Sequence, residues 1–100
     1  MEEIIMNIIV NSGEVRSLSM EAIQLAKQGE FVKAKESINE ATKKLADAHH
    51  CQTTLIQNEA SGKAVEVSLL LVHAQDHLMT SMTLKDLALE IIELYERLEK

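Results

Sequence analysis

The sequence predicts an all-α protein, an antiparallel three-helix bundle that associates with copies of itself. Proline is absent from the 100 residues, and glycine occurs only three times. A β-sheet domain needs turn residues every ~8–12 positions, which this chain does not supply. Apolar residues instead recur at spacings of three and four, the period of a buried helical face. A chain of this length forms one domain, which we expect to span residues 1–100.

The charge balance argues against a nucleic-acid partner. Lysine and arginine number 10 and aspartate and glutamate 16, which gives a formal charge of −6. A nucleic-acid-binding surface is basic because it must neutralise phosphates. The hydrophobic fraction of 46% is that of an ordinary globular chain. We therefore expect a folded acidic domain that binds no nucleic acid.

Cysteine usage and the apolar runs bear on where the protein works. Cys51 is the one cysteine, so no internal disulfide can form, and no cysteine–histidine spacing is typical of zinc. The first residues, MEEIIMNIIV, are acidic where a secretory signal peptide is basic. The longest apolar run inside the chain, residues 69–72, is far shorter than the ~20 residues that span a bilayer. We expect a soluble, cytoplasmic protein.

The first helix is predicted from about Glu3 to Gln28. Gly29 follows it, and glycine readily adopts the left-handed conformation that ends many helices. Gly13 falls inside this helix at a cost of ~1 kcal/mol relative to alanine, which marks a kink or a close helix crossing. The apolar face follows the three–four step, with Asn11 as its odd member, through Ile4, Ile8, Val15, Leu18, Ala22 and Leu25.

The second and third helices are predicted from about Phe31 to Asn58 and from about Lys63 to Leu98. The short segment between them, which ends in a glycine, is the only other convincing turn. In the second helix, the apolar stripe is interrupted only by Gln52. That stripe consists of Phe31, Ala34, Ile38, Ala41, Leu45, Ala48 and Leu55.

The third helix carries more apolar surface than one bundle can cover. One stripe is expected to pack on the first two helices: Val67, Leu70, Ala74, Leu84, Ala88, Ile91, Tyr95 and Leu98. Other apolar residues cover much of the remaining circumference: Leu69, Leu71, Val72, Leu78, Met79, Met82, Leu87 and Leu94. A helix that is apolar nearly all round is buried on more than one side. Three helices cannot surround one of their own number, so this second stripe predicts self-association.

Three polar side chains lie together on this apolar helix. At about 100° per residue, Asp76 falls about 60° to one side of His73 and His77 about 40° to the other. One histidine on an apolar face is usually a satisfied core residue, but two histidines and a carboxylate on the most buried helix favour chemistry. The i, i+4 spacing of the histidines also suits a metal, so a zinc or two-metal site is an alternative. Further ligands for such a site would be His49, His50 and Cys51.

A reactive histidine also suits phosphoryl transfer. Neutral imidazole is a good nucleophile towards phosphorus, and the phosphoramidate that it forms retains a high transfer potential. The transfer needs an accessible ring nitrogen, a partner that fixes the tautomer, and donors for the phosphoryl oxygens. It needs no deep pocket, because the substrate is a phosphorylated side chain of another protein. A small bundle without glycine-rich loops is compatible with this chemistry.

The sequence HAQDHLMT at residues 73–80 resembles the active helix of the enzyme IIA components of the lactose/cellobiose class of the bacterial sugar phosphotransferase system. Shorter segments extend the resemblance over nearly the whole chain. They are SGEVRS at residues 12–17 in the first helix, GEF at residues 29–31 with Ala34 at the first turn, and Ala48-His49, Gln52-Thr53 and Glu59-Ala60 near the end of the second helix.

The resemblance implies a homotrimer of three-helix subunits in which His73 is phosphorylated through Nε2. His73 would accept the phosphoryl group from the histidine phosphocarrier HPr and pass it to a cysteine of a IIB component, which is coupled to the membrane IIC permease. Asp76 would lie on the trimer axis, where three copies hold one divalent cation, expected to be Mg²⁺. His77 and Gln75 are expected neighbours of the phosphohistidine.

The resemblance also bears on the transported sugar. Ala74 in the motif is similar to the cellobiose, chitobiose and β-glucoside branch, whereas the lactose branch often has glycine there. A β-linked disaccharide is therefore expected. The sugar does not touch this component in the family, so no residue is expected to bind it. Cys51 is expected to be a small packing residue and not the phosphocysteine of the relay.

Two other functions are compatible with the residues. One is a histidine phosphotransfer domain of two-component signalling, which is also acidic and helical. Those domains typically carry His-x-x-Lys-Gly, and here Asp76 and His77 stand where lysine and glycine would be. The other is a structural trimeric adaptor in which His73 and Asp76 only fix the helix register. Phosphorylation by HPr would distinguish all three.

Overall fold

The fold is a bundle of three long helices, seen in a computed structural model that describes residues 2–63 and 65–99. The helices are α1 (Glu2–Lys27), α2 (Phe31–Ala60) and α3 (Leu69–Leu98). The molecule is a rod of 56 × 19 × 17 Å. This confirms the predicted all-α three-helix bundle. No helix in the described part of the chain has the length and apolar character that a membrane crossing requires.

Cross-helix contacts show that neighbouring helices run antiparallel. Lys44 of α2 pairs with Glu14 of α1 at 3.2 Å, and Cys51 lies against Asn7 at 3.2 Å. Residue numbers therefore rise along α2 where they fall along α1, so the two helices run in opposite directions. In the same way, Lys35 of α2 pairs with Glu96 near the end of α3 at 2.9 Å. These pairs are largely exposed, so they fix the register more than they stabilise the bundle.

The helix ends agree with the glycine positions but not with the predicted start of α3. Gly29 and Gly62 both have positive φ, 78° and 87°, which glycine adopts without strain. The prediction that the third helix begins at Lys63 is wrong, because α3 begins at Leu69. Ser68 caps it: the hydroxyl accepts a hydrogen bond from the backbone N–H of Leu71 at 3.1 Å.

The segment before α3 has a physical reason to stay outside the helix. Val65 is half-buried and packs against the core, which an earlier helix start would prevent. Serine competes with the helix backbone for hydrogen bonds and therefore favours the cap position, here Ser68. The apolar spacing alone predicts a helix start that is too early, and Ser68 is the residue in the sequence that marks the actual start.

The core is divided into two apolar clusters at opposite ends of the rod. One cluster consists of Ala22, Ile23, Ala26, Ala34, Ile38, Ala88 and Ile92. The other consists of Ile5, Ile8, Ala48, Leu55, Ala74 and Leu78. The residues between them are small and buried, and we call them the serine layer: Ser12, Val15, Ser19, Ala41 and Ser81. Among the residues that the structure describes, the hydroxyls of Ser12 and Ser19 have no hydrogen-bond partner.

The two predicted stripes of α3 are only partly right. The buried side of the helix is lined by Ala74, Leu78, Ser81, Ala88 and Ile92. Leu78 was placed in the second stripe, but it is fully buried, because small neighbours let α3 approach α1 on that side. Three residues predicted to pack inward are exposed, since they lie before the helix or in its end turns: Val67, Leu70 and Leu98.

Most of the second stripe is exposed in the single chain. We call this surface the outer stripe of α3; its apolar members are Leu69, Val72, Met79, Leu87 and Leu94. Each of them exposes half or more of its surface, from 51% for Val72 to 86% for Leu69. A contiguous apolar surface of this kind on a small protein marks an interaction site.

Candidate functional site

Three of the four predicted site residues, His73, Asp76 and His77, lie on the same side of α3, next to the outer stripe. His73 and Asp76 are exposed, and His77 is half-buried. The helix places them within one turn, and Asp76 falls in line with Leu69, Leu87 and Leu94 along the helix. The expectation that Asp76 is a buried carboxylate is therefore wrong for the single chain. None of the ion pairs among the described residues involves Asp76.

The two histidines form a stacked pair. Their ring centroids are 5.7 Å apart, and the ring planes differ by 15°. In the described part of the chain, neither imidazole has a hydrogen bond to another group. The imidazole of His73 is thus accessible, and within one chain its stacking partner is the ring of His77.

His77 is positioned by α1. A Cβ atom built on Gly13 would lie 3.6 Å from His77 Nε2, so this ring rests against the backbone of α1. One turn further along α3, the hydroxyl of Ser81 donates a hydrogen bond to the backbone carbonyl of Ser12 at 3.0 Å. The α1–α3 contact below the histidine pair is therefore close and partly polar.

Gln75 lies on the other flank of α3, away from His73. Its Oε1 accepts a hydrogen bond from the side-chain amide of Gln52 at 2.7 Å, which joins α3 to α2. Two residues along a helix turn the side chain by about 200°, so Gln75 does not approach His73 of the same chain. Within one chain, the structure brings His77 to His73 and leaves Gln75 away from it.

The single-chain metal site considered from the sequence is not formed. Among residues 2–63 and 65–99, no three histidine, cysteine, aspartate or glutamate side chains are close enough to hold a metal ion. His49 and His50 are exposed on α2, and Cys51 is half-buried with its thiol near Asn7. The zinc and two-metal alternatives are therefore wrong for the single chain, as far as the described residues extend.

Sequence reasoning missed the role of the small and amide residues around the pair. Gly13 was noted as a position of kink or close crossing, and Gln52 as an interruption of the apolar stripe. Both residues make contacts between helices: Gly13 lies against His77, and Gln52 donates a hydrogen bond to Gln75. Nothing in the sequence indicated the bond between Ser81 and Ser12, because serines are common in helices for other reasons.

Comparisons with known proteins identify the family of the chain. Residues 3–96 match the family model described as "PTS system, Lactose/Cellobiose specific IIA subunit". The lichenan-specific phosphotransferase enzyme IIA component of Bacillus subtilis is 55% identical over 98 residues, 98% of this chain and 89% of that protein. The crystal structure of the PTS cellobiose-specific enzyme IIA of Bacillus anthracis superimposes with a TM-score of 0.95 at 52% identity, covering 98% and 90% of the two chains.

A third relative has been solved together with a partner. It is the IIA(Chitobiose) protein in solution structures of the IIA(Chitobiose)–HPr complex of Escherichia coli, with a TM-score of 0.86 at 47% identity over 99% of this chain and 96% of that one. The chain belongs to the lactose/cellobiose-specific IIA family of the phosphotransferase system. It is a phosphotransfer carrier of that sugar transport system. The two-component phosphotransfer domain is thereby excluded.

Proposed function

We propose that the chain is a cytoplasmic phosphocarrier in which His73 accepts a phosphoryl group from HPr and passes it to a cysteine of a IIB component. The observation that carries the residue assignment is the exposed His73 ring, which is free of hydrogen bonds and stacked at 5.7 Å on a second imidazole. Membership of the family supports the carrier role, and the complex solved for the Escherichia coli relative supports HPr as the donor.

The transfer needs only an in-line exchange at phosphorus. The lone pair of His73 Nε2 forms the new N–P bond while the P–N bond to the donor histidine breaks. The donor imidazole leaves with that electron pair and takes up a proton, and His73 gives up the proton on its Nδ1. An N–H of His77 would donate to a phosphoryl oxygen and so offset its charge. In the second transfer, the IIB thiolate attacks phosphorus and His73 leaves as neutral imidazole once it has regained a proton.

The outer stripe of α3 supports a homotrimer. In a single chain, a row of apolar side chains would expose more than half of their surface to water: Leu69, Met79, Leu87 and Leu94. Burying apolar area contributes about 25 cal/mol per Å², so a shared α3 interface would offset the loss of freedom on association. A three-fold arrangement of α3 helices covers this stripe in every copy.

Asp76 suits a cation only when several copies contribute. In such a trimer, the Asp76 carboxylates of three copies would hold one Mg²⁺, and carboxylate oxygens are the donors that this hard cation prefers. The cation would offset the repulsion among the three like charges. It takes no part in the proposed transfer, which uses the side chains of His73 and His77.

The sugar is proposed to be a β-linked disaccharide that the chain itself does not touch. Relatives described as specific for lichenan, N,N'-diacetylchitobiose and cellobiose are 55%, 48% and 45% identical, and those described as specific for galactose and lactose are 44% and 43% identical. The transported molecule would meet the IIC permease, and the phosphoryl group would reach it from IIB. We therefore propose no sugar-binding residue in this chain.

The proposal is tested with purified enzyme I, HPr and labelled phosphoenolpyruvate. We expect the wild-type chain to acquire an acid-labile phosphoryl group and to pass it to a IIB component. His73→Ala should acquire none, whereas His49→Ala, an exposed histidine on α2, should be labelled like the wild type. A structural adaptor would remain unlabelled, and labelled His73→Ala would move the acceptor to another histidine.

A further inference from the structure

The contact between α1 and α3 below the histidine pair has features that a purely structural contact does not need. Ser12 and Ser81 are 0% and 2% exposed, and their hydrogen bond is the one polar link between α1 and α3 that the structure shows within the serine layer. A buried hydrogen bond has a fixed length and direction, whereas apolar contacts tolerate sliding. Ser81 therefore fixes the height of α3 against α1 one turn from His77.

Gly13 adds the second feature, since it follows Ser12 directly. The distance of 3.6 Å from its Cβ position to His77 Nε2 is ordinary van der Waals contact for one methyl group, so a further carbon atom built towards the ring would collide with it. The ring of His77 therefore occupies space that a larger residue at position 13 would fill. His77 is enclosed between the backbone of α1 on one side and the ring of His73 on the other.

We propose that Ser12, Gly13 and Ser81 are positioning residues for the phosphoacceptor: they hold α1 where it supports His77, and His77 in turn orients the ring of His73. This inference rests on the proposed function of His73. The three residues touch neither the phosphoryl group nor its donor, and they act through His77. We call them the α1 support.

The reason for such a support is the freedom of His73. Within one chain, its side chain is exposed and makes no hydrogen bond to the described residues, so the stack on His77 is the contact that limits its rotamers there. In-line transfer requires the attacking nitrogen at about 3–3.5 Å from phosphorus with its lone pair aligned, and a displacement of ~1 Å costs on the order of 100-fold in rate. Supporting groups behind a reacting side chain usually supply that precision.

The first test removes the hydrogen bond alone. Ser81→Ala deletes the hydroxyl that donates to Ser12, and Ser19→Ala is its matched control, because Ser19 is equally buried in the same layer but its hydroxyl has no partner. We expect Ser81→Ala to be phosphorylated by phospho-HPr about 10-fold more slowly than the wild type, since a loosened support misplaces the nucleophile. Ser19→Ala should be phosphorylated at the wild-type rate.

The rates are measured at a temperature at which circular dichroism shows each variant fully folded. A role limited to stability would lower the melting temperature of Ser81→Ala and leave its rate at that temperature unchanged. Equal rates for Ser81→Ala, Ser19→Ala and wild type would overturn the proposal without affecting the role of His73. An unlabelled wild type would instead overturn the proposed function.

The second test displaces His77 directly. Gly13→Val adds branched carbon atoms towards the ring, and Ser17→Val, one turn away at an exposed position of α1, controls for the effect of valine on the helix. We expect the ring-proton chemical shifts of His73 to move in Gly13→Val, because the stacked ring no longer shields them, and the transfer rate to fall between about 10- and 100-fold. Unchanged His73 shifts and an unchanged rate in Gly13→Val would refute the α1 support.

Discussion

The side-chain amide of Gln52 donates a hydrogen bond to Oε1 of Gln75 at 2.7 Å, joining α2 to α3 on the flank opposite His73. Both side chains are half-buried, and the same amide nitrogen lies 3.8 Å from the sulfur of Met79. The apolar stripe of α2 is thus interrupted at Gln52, whose side chain donates a hydrogen bond to α3. This pair is the polar counterpart, on the α2 side, of the bond between Ser81 and Ser12 on the α1 side.

We expect Gln52 and Gln75 to be energetically coupled. In a double-mutant cycle of Gln52→Ala and Gln75→Ala, measured by urea unfolding, the coupling should be about 0.5–1.5 kcal/mol, the net value of a typical protein hydrogen bond. Lys33→Ala on exposed α2 paired with Gln75→Ala should be additive, because the two side chains share no partner. Additivity within the glutamine cycle would show that the bond contributes nothing to stability.

The outer stripe of α3 predicts a trimer that a single substitution by a charged residue should dissociate. Light scattering of the wild type should give three times the 11.2 kDa of the chain. Leu87→Glu should give a monomer with its helices intact, because three buried carboxylates would face one another without a partner. Val32→Glu, at an exposed position of α2, should remain a trimer. A wild-type monomer at micromolar concentration would be incompatible with the proposed assembly.

Removal of divalent cations should destabilise the assembly through Asp76. A ligand that binds only the assembled state raises its stability, so chelation by EDTA should lower the melting temperature of the wild type. Asp76→Leu should melt at one temperature with and without EDTA, and above the chelated wild type, because the like charges are gone. Equal melting of the wild type in both conditions, with no metal by elemental analysis, would exclude the cation.

The cap of α3 predicts a measurable contribution to stability. Ser68→Ala removes the hydroxyl that accepts from the N–H of Leu71, so the free energy of unfolding should fall by about 0.5–2 kcal/mol. Ser17→Ala, at an exposed position inside α1, should instead raise it by a few tenths of a kcal/mol, roughly the difference in helix propensity. If Ser68→Ala leaves the free energy of unfolding unchanged, packing alone stabilises the first turn of α3.

The fold was predictable because glycine and the three–four spacing each mark helices independently, and the two agreed at Gly29 and Gly62. The start of α3 was not predictable in the same way. Apolar residues before Leu69 continue the helical spacing, although the helix itself begins only after its cap, Ser68. For the site, spacing alone places His73 beside His77. The contacts of Gln75 and Gly13 depend on how the helices rotate against one another, and a single sequence contains no direct information on that rotation.

The serine layer has a consequence for motion. It separates the two apolar clusters, so the end of the rod that contains Ala74 and Leu78 does not share a continuous hydrophobic core with the end that contains Ala88 and Ile92. Regions with separate cores open as separate cooperative units, and their amide protons exchange with solvent at different rates. The half that contains His73 can therefore loosen and close again while the far half stays folded and keeps the three helices in register.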